Sequence, residues 1–201
     1  MTAPLLGPAA LMHRYRHDLQ TIIRSTDWFM YALTAVRQCD PPDWLVGGGV
    51  IRNLVWDHLH GFAEPTVIRD VDVAFFDPAD LTRERDEQVE AALDRLDPDV
   101  PWQAKNQAAV HQWYERRFGF CVDPLTSSSD AIGTWPETAT SVAVRLLDDD
   151  NLMIVAPCGL DDLFQMVLRR NPRRITRELF EQRLLEKRIL DLWPSVQVVH
   201  D

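Results

Sequence analysis

Cysteine is scarce in this 201-residue chain. The three cysteines, Cys39, Cys121 and Cys158, are odd in number and widely separated, and none belongs to a CxxC pair or a Cys/His cluster. Neither a disulfide framework nor a structural zinc site is therefore expected. We expect three buried free thiols in a reducing compartment, because free cysteine is among the most buried residue types.

Long apolar runs are also missing. No stretch approaches the roughly 18 apolar residues of a membrane span, and the N-terminus lacks the basic start of a secretory signal. The sequence predicts a soluble, cytoplasmic protein with no membrane contact.

Basic residues are outnumbered, with 21 Lys and Arg against 31 Asp and Glu and a net charge of -10. Proteins that bind nucleic acid over a large area present a basic face, so binding of that kind is not expected. The acidic net charge is still compatible with a small basic pocket. A small molecule or a protein is favoured over nucleic acid as a partner. The oligomeric state is left open.

The apolar residues, 46% of the chain, follow helical and strand periods without internal repeats. We predict a single domain over 1–201, with N-terminal helices in 1–40, a core in 41–158 and C-terminal helices in 159–201. Strands are predicted at 44–46, 67–76, 102–105, 141–147 and 152–155. Helices are predicted at 50–59, 80–96, 108–117, 160–169 and 174–192, with two more in 9–38 and a loop over 118–137.

A glycine run, Gly47, Gly48 and Gly49, separates the first predicted strand from its helix. Glycines let a backbone approach an anion closely, and a helix N-terminus offers free N–H groups. Arg52, in the first turn, can pair with a phosphate oxygen. Alone, such a run is more often only a tight turn.

Two carboxylates, Asp70 and Asp72, alternate with Val71 and Val73 in the second predicted strand. Strand alternation puts the two aspartates on one face and the valines in the core. Neighbouring carboxylates repel unless a cation neutralises them, and Mg²⁺ (or Mn²⁺) prefers carboxylate oxygens. An exposed acidic edge strand is the alternative.

Together, the glycine turn and the Asp-x-Asp strand resemble the signature of the DNA polymerase β-type nucleotidyltransferase superfamily. Within it, the chain resembles a bacterial family of largely uncharacterised nucleotidyltransferase-like proteins over about residues 28–194. The matching stretches are GGGVIRNLVWDHLHG (47–61), RDVDVAFFD (69–77), KNQAAVHQWY (105–114), WPETATSVAVRL (135–146) and APCGLDDLF (156–164).

The resemblance implies an α+β fold with an α/β-like core, in which a small mixed sheet carries the Asp-x-Asp strand. It gives Gly47 and Gly48 the glycine-turn role, and Asp70 and Asp72 the metal-binding and catalytic role. The glycine run through Arg52 and Asn53 also resembles Gly-Gly-x-x-Arg-Asp of tRNA nucleotide-adding enzymes, with one extra glycine and with Asn53 in place of aspartate.

Many superfamily members add a third carboxylate from a neighbouring strand. The strand expected to supply it reads Trp102-Gln103-Ala104-Lys105, without an acid. Without this third acid, the sequence does not supply the full set of carboxylates for catalysis with two metal ions.

Further polar side chains complete the expected site. Nucleotide-binding residues are predicted at Gly47, Gly48, Gly49, Arg52, Asn53, Lys105 and Asn106, and acceptor-site residues at Gln107, His111, Trp135 and Glu137. Ordinary capping and structural roles remain alternatives for Lys105, Asn106 and His111.

The sequence thus predicts an enzyme that moves a nucleoside monophosphate from an NTP to an unidentified acceptor hydroxyl. The alternative is a nucleotide-binding regulatory or antitoxin-like module with weak or no turnover. Nucleotide addition to tRNA is disfavoured by the acidic net charge and the short helical tail.

Overall fold

The structure, a computed structural model, describes residues 7–200. Residues 1–6 and 201, the outer ends of the predicted terminal helical regions, lie outside the described residues. Within the described part, every helix is too short or too polar to cross a bilayer.

Nine α-helices and two single-turn 3₁₀ helices occur in the described part of the chain. The helices are α1 Pro8–Arg24, α2 Asp27–Cys39, α3 Gly49–His60, α4 Arg83–Leu96, α5 Val110–Phe118, α6 Ser128–Ile132, α7 Asp161–Phe164, α8 Arg177–Lys187 and α9 Ile189–Leu192. The 3₁₀ helices span Gln107–Ala109 and Thr138–Thr140.

Five strands form a mixed sheet in the order β3-β2-β1-β4-β5, which matches the predicted small mixed sheet. They are β1 Leu45–Gly47, β2 Val71–Phe75, β3 Trp102–Asn106, β4 Ala143–Leu146 and β5 Leu152–Val155. The β2–β3 pair is parallel and the other three pairs are antiparallel. The predicted second strand is shorter than expected, so Asp70 directly precedes β2.

The two faces of this sheet have different roles, because side chains alternate along each strand. Val46, Val73 and Val144 lie in the main core with the N-terminal helices and α3. On the other face, Ala74 of β2 belongs to a small cluster with Ile132 of α6. Asp72, two residues before Ala74, is on this second face.

Side chains of flanking helices satisfy the backbone of the two edge strands. Asp86 and Glu90 of α4 accept hydrogen bonds from the N–H groups of Asn106 and Ala104 in β3. On the opposite edge, Arg16 and Gln20 of α1 donate to carbonyls of β5. Further strand pairing at these edges is thereby discouraged.

The C-terminal region differs from the prediction. The helix expected over 160–169 is wrong, since α7 ends at Phe164 and the chain continues into strand β6, Val167–Arg169. This strand pairs in parallel with β7, Gln197–Val199. The helix expected over 174–192 starts later and is divided, because Arg188 adopts a left-handed conformation between α8 and α9.

The cysteines are free, as predicted, but they are not buried. Cys39 is half-buried, and Cys121 and Cys158 are exposed. The prediction of buried thiols is wrong because the last two lie in irregular segments at the surface.

Candidate functional site

Asp70 and Asp72 line one cavity of about 640 Å³. Val71 and Val73, the residues that alternate with them, are buried in the main core. Strand β2 therefore holds Val71 and Val73 inward, while Asp72 within the strand and Asp70 directly before it face the same open space.

The glycine turn faces these carboxylates. Gly47 pairs with Asp72 in the β1–β2 register. A Cβ on Gly48 would lie 3.3 Å from Asp72 Oδ2, and one on Gly49 would lie 3.9 Å from Asp70 Oδ1. Gly48 has a φ of 73°, which favours glycine. It precedes α3 without a side-chain cap, so the first N–H groups of that helix are available to an anion.

The cavity is locally more basic than the chain as a whole. Six basic side chains line it, against four acidic ones, although the net charge of the chain is -10. The basic residues are Arg52, Lys105, Arg117, Arg174, Arg183 and Lys187, and the acidic residues are Asp70, Asp72, Glu137 and Glu186.

Asp72 is in an unfavourable environment for a free carboxylate. Burial, followed by the charge of Asp70, raises the pKa of Asp72 to about 6, and the charges of Lys187 and Arg183 offset only part of this effect. No ion pair to Asp70 or Asp72 is present within residues 7–200. A bound cation would relieve the repulsion between the two carboxylates.

Arg52 lies beneath the glycine turn, not free in the cavity. It is only 6% exposed, its guanidinium donates to Asn53 Oδ1, and its Cζ lies 5.5 Å and 5.0 Å from the ring centroids of Trp56 and Trp193. Burial lowers the pKa of Arg52, and the charge of Glu137 counteracts this shift.

Glu137 is held by internal partners. Its carboxylate accepts hydrogen bonds from Arg183 Nε at 2.9 Å and from the hydroxyl of Thr140 at 2.8 Å. Burial favours a higher pKa for Glu137, but Arg183, Thr140 and Arg52 together hold the pKa below its ordinary value. With only 5% of the residue exposed, Glu137 offers little surface for the contact with an acceptor that the sequence suggested.

The structure does not bring all predicted site residues to the cavity. Four lie outside its lining: Gly47, Asn53, Asn106 and His111. Gly47 is required by the sheet, since a Cβ there would lie 2.3 Å from the carbonyl oxygen of Val142. Asn106 is 1% exposed and bonds the backbone of Asp77 and Asp80. Its predicted contact with nucleotide is therefore corrected to a structural role.

Three other predicted residues do line the cavity: Lys105, Gln107 and Trp135. Lys105 is already paired with Asp86, with Nζ 2.7 Å from Oδ2. Gln107 donates its amide to the Lys105 carbonyl. Trp135 packs against Gly48, where an added Cβ would lie 2.8 Å from the ring.

Sequence reasoning missed two helix faces that line the cavity. On α5, Trp113, Tyr114, Arg117 and Phe118 face it, and on α8, Leu179, Gln182, Arg183, Glu186 and Lys187 do so. Helical spacing shows that each set shares a face, but no local pattern indicates which cavity that face lines.

Comparison with known proteins identifies the family of the chain. A nucleotidyltransferase family profile matches residues 34–198. The chain belongs to this nucleotidyltransferase family. No curated protein sequence matches the chain.

Among solved structures, one described as revealing a CCA-adding enzyme head domain is 27% identical to this nucleotidyltransferase, with a TM-score of 0.75. The match covers 90% of this chain and 96% of that one. Two tRNA-processing enzyme structures match at 15% and 14% identity, with TM-scores of 0.49 and 0.45. They cover 84% and 98% of this chain, which spans 43% and 46% of theirs. The α+β fold and the polymerase β-like relationship predicted from sequence are thus confirmed.

The donor set of this nucleotidyltransferase suits a divalent ion only in part. No group of three or more His, Cys, Asp or Glu side chains able to hold a metal occurs in residues 7–200. Gln103 stands opposite Asp72 in the parallel β2–β3 register and lines the cavity, where a third acid would complete a larger site. Two carboxylates nevertheless fit Mg²⁺, which is usually held by one or two carboxylates plus substrate phosphates.

Proposed function

We propose that the protein transfers a nucleoside monophosphate from an NTP to an acceptor hydroxyl and releases pyrophosphate. The observation that carries this proposal is the placement of Asp70 and Asp72 against the Gly48–Gly49 turn within one cavity. A phosphate cradle beside two oxygen ligands is the arrangement that phosphoryl-type transfer requires, because catalysis there comes from positioning and charge neutralisation.

The carboxylates, the glycine turn and Arg52 each have a separate role in this proposal. Asp70 and Asp72 would hold the cation, Mg²⁺ or Mn²⁺, which when bound neutralises phosphate charge and polarises the reacting phosphoryl group. The N–H groups of Gly49 and the first turn of α3 bind phosphate oxygens. Arg52, whose guanidinium lies beside the rings of Trp56 and Trp193, adds positive potential below the turn.

We infer that the acceptor binds near the α5 side of the cavity and Trp135, away from the buried carboxylate of Glu137. Gln107 also lines this region and can orient a polar acceptor group. The acidic net charge supports a small molecule or a protein as the acceptor.

The test is label transfer by the pure protein. Incubation with NTPs labelled at the α-phosphorus, Mg²⁺ and cell lysate should label one lysate fraction and release pyrophosphate. Asp72→Asn should abolish both, because the neutral amide is a much weaker cation ligand. Asp94→Asn removes the same charge from an exposed site on α4 and should retain activity. Undiminished turnover by Asp72→Asn would refute the proposal.

A second candidate is a nucleotide-binding regulatory module without turnover. Gln103, in register with Asp72, favours it because no acid of β3 supplements the carboxylate pair. Calorimetry with a non-hydrolysable ATP analogue, combined with a pyrophosphate assay, separates the candidates. Binding without pyrophosphate release across many acceptors would select the module.

Nucleotide addition to tRNA is a third possibility, suggested by the description of the 27% identical head domain. The net charge of -10 argues against it, since RNA binding depends on phosphate neutralisation. We expect that the protein does not shift tRNA in a gel at moderate salt. A shift under these conditions would instead support nucleotide addition to tRNA.

A further inference from the structure

Helix α8 turns one polar face to the cavity. Its lining residues recur at helical spacing: Leu179, Gln182, Arg183, Glu186 and Lys187. Residues three and four apart share a helix face, so the side chains of Arg183 and Lys187 emerge one turn apart along the same wall.

These two cations share a cavity with the carboxylate pair. Arg183 and Lys187 line the cavity together with Asp70 and Asp72. The positive charges of α8 therefore face the same open space as the two carboxylates.

Both cations have donors left for an anion. Lys187 makes no ion pair within residues 7–200, and the single hydrogen bond of Arg183 there uses Nε. The terminal nitrogens of the Arg183 guanidinium remain available for a bidentate contact with phosphate oxygens.

Glu137 fixes the direction of Arg183. Its carboxylate is 5% exposed and is anchored by Thr140 as well as by Arg183 Nε. A planar guanidinium held at Nε by a rigid partner loses little further freedom when its outer edge binds a ligand.

We propose that Arg183 and Lys187 form a polyphosphate-binding wall for the β- and γ-phosphates of the NTP, with Glu137 as the residue that positions Arg183. This inference rests on the proposed function and extends it from the glycine turn to α8. The wall binds the departing pyrophosphate as well as the substrate, and it forms no covalent bond.

The main test compares ligands that contain or lack the outer phosphates. Binding of ATP, inorganic tripolyphosphate and AMP is measured by calorimetry at about 0.15 M salt, where exposed charges more than about 8 Å apart are largely screened. Lys187→Gln should weaken ATP and tripolyphosphate binding about tenfold, as expected for one charge-assisted contact, and leave AMP binding unchanged. Arg116→Gln is the matched control, because Arg116 is exposed and lies outside the cavity lining.

The positioning role is tested by a double-mutant cycle. Glu137→Gln and Arg183→Met should each weaken tripolyphosphate binding, and the double variant should lose no more than Arg183→Met alone. A purely structural Glu137 would instead reduce AMP and ATP binding together. Circular dichroism identifies any variant that fails to fold, and Lys187→Gln, at an exposed position, still tests the polyphosphate-binding wall by itself.

The outcomes separate the wall from nucleotidyl transfer itself. If the wild type binds ATP and Lys187→Gln binds each of the three ligands as tightly as the wild type does, the proposed wall is wrong. The proposal of nucleotidyl transfer is unaffected by that result. If selective losses occur but no acceptor is labelled, the wall is supported and the transferase is wrong. Wild-type protein that binds neither ATP nor tripolyphosphate overturns both.

Discussion

At the scale of single residues, Asp72, the proposed cation ligand, lowers the stability of the folded protein. Burial and Asp70 raise its pKa to about 6 in the folded protein, against about 3.9 in an unfolded chain. Between these values the unfolded chain has released its proton and the folded protein has not. Folded stability therefore decreases as the pH rises from about 4 to about 6, and the loss persists above that range.

The consequence is that Asp72→Asn should stabilise the cation-free protein. We expect its free energy of unfolding, measured with urea in a chelator, to exceed that of the wild type by about 1–3 kcal/mol at neutral pH. Near pH 4 the two proteins should be equally stable. Asp94→Asn should show no such pH dependence, and a difference that is constant with pH would contradict the assignment to Asp72.

Gly47 and Gly49 differ in how much space surrounds them. An added Cβ on Gly47 would overlap Val142 and Ala143, whereas one on Gly49 would have no neighbour closer than 3.9 Å. Gly49→Ala should therefore fold with stability within about 1 kcal/mol of the wild type. It should nevertheless bind tripolyphosphate more weakly, because the methyl group stands where phosphate approaches the first turn of α3.

Calorimetry and urea unfolding of the same sample check this prediction. Gly47→Ala is the contrasting variant and should unfold at much lower urea, since its clash is with backbone atoms. Unchanged tripolyphosphate affinity in Gly49→Ala would place the phosphates elsewhere in the cavity.

At the scale of elements, local patterns predicted β1, β2, β3 and the β4–β5 hairpin, because each is short and adjoins glycine, proline or aspartate. The β6–β7 pair escaped prediction, since its three-residue strands are joined only by pairing between distant parts of the chain. The carboxylates and the glycine turn were predictable for the same local reason. The contribution of α8 was not, because it depends on how the C-terminal segment packs.

The β2–β3 register gives a prediction about cation binding. Parallel neighbours lie about 4.8 Å apart and point to the same face, so Gln103→Asp would add a third carboxylate beside Asp72. We expect Mn²⁺ affinity, measured by electron paramagnetic resonance, to increase about tenfold, since ligand charge tunes affinity for hard cations. Gln103→Asn is the neutral control. Equal Mn²⁺ affinity in all three proteins would show that position 103 does not reach the cation.

At the scale of the whole molecule, the charge distribution explains how an acidic protein can bind a polyanion. The six basic side chains of the cavity concentrate positive potential in a concave site, while the remaining surface carries the acidic excess. Such focusing attracts small anions without providing the extended basic surface that a nucleic acid needs.

The main core also spans most of the chain, which supports the proposal of a single domain over 1–201. It includes Leu19 of α1 and Trp193, which follows α9. Trp193 donates its indole N–H to Asp57 Oδ1 at 2.7 Å and packs edge-to-face with Trp56 of α3. Helix α3, which starts at the glycine turn, is thus tied directly to the C-terminal segment.

Trp193→Ala should therefore destabilise the whole protein and not only its C-terminal end. Removal of a buried tryptophan costs about 3–5 kcal/mol, and in one cooperative domain the loss moves the entire urea transition. Circular dichroism and tryptophan fluorescence should still give coincident transitions. Leu192→Ala, at a neighbouring position that is 42% exposed, should have a much smaller effect. Two separate transitions, with only one shifted, would instead make the C-terminal segment an independent unit, and α8 could then not hold Arg183 and Lys187 rigidly against the cavity.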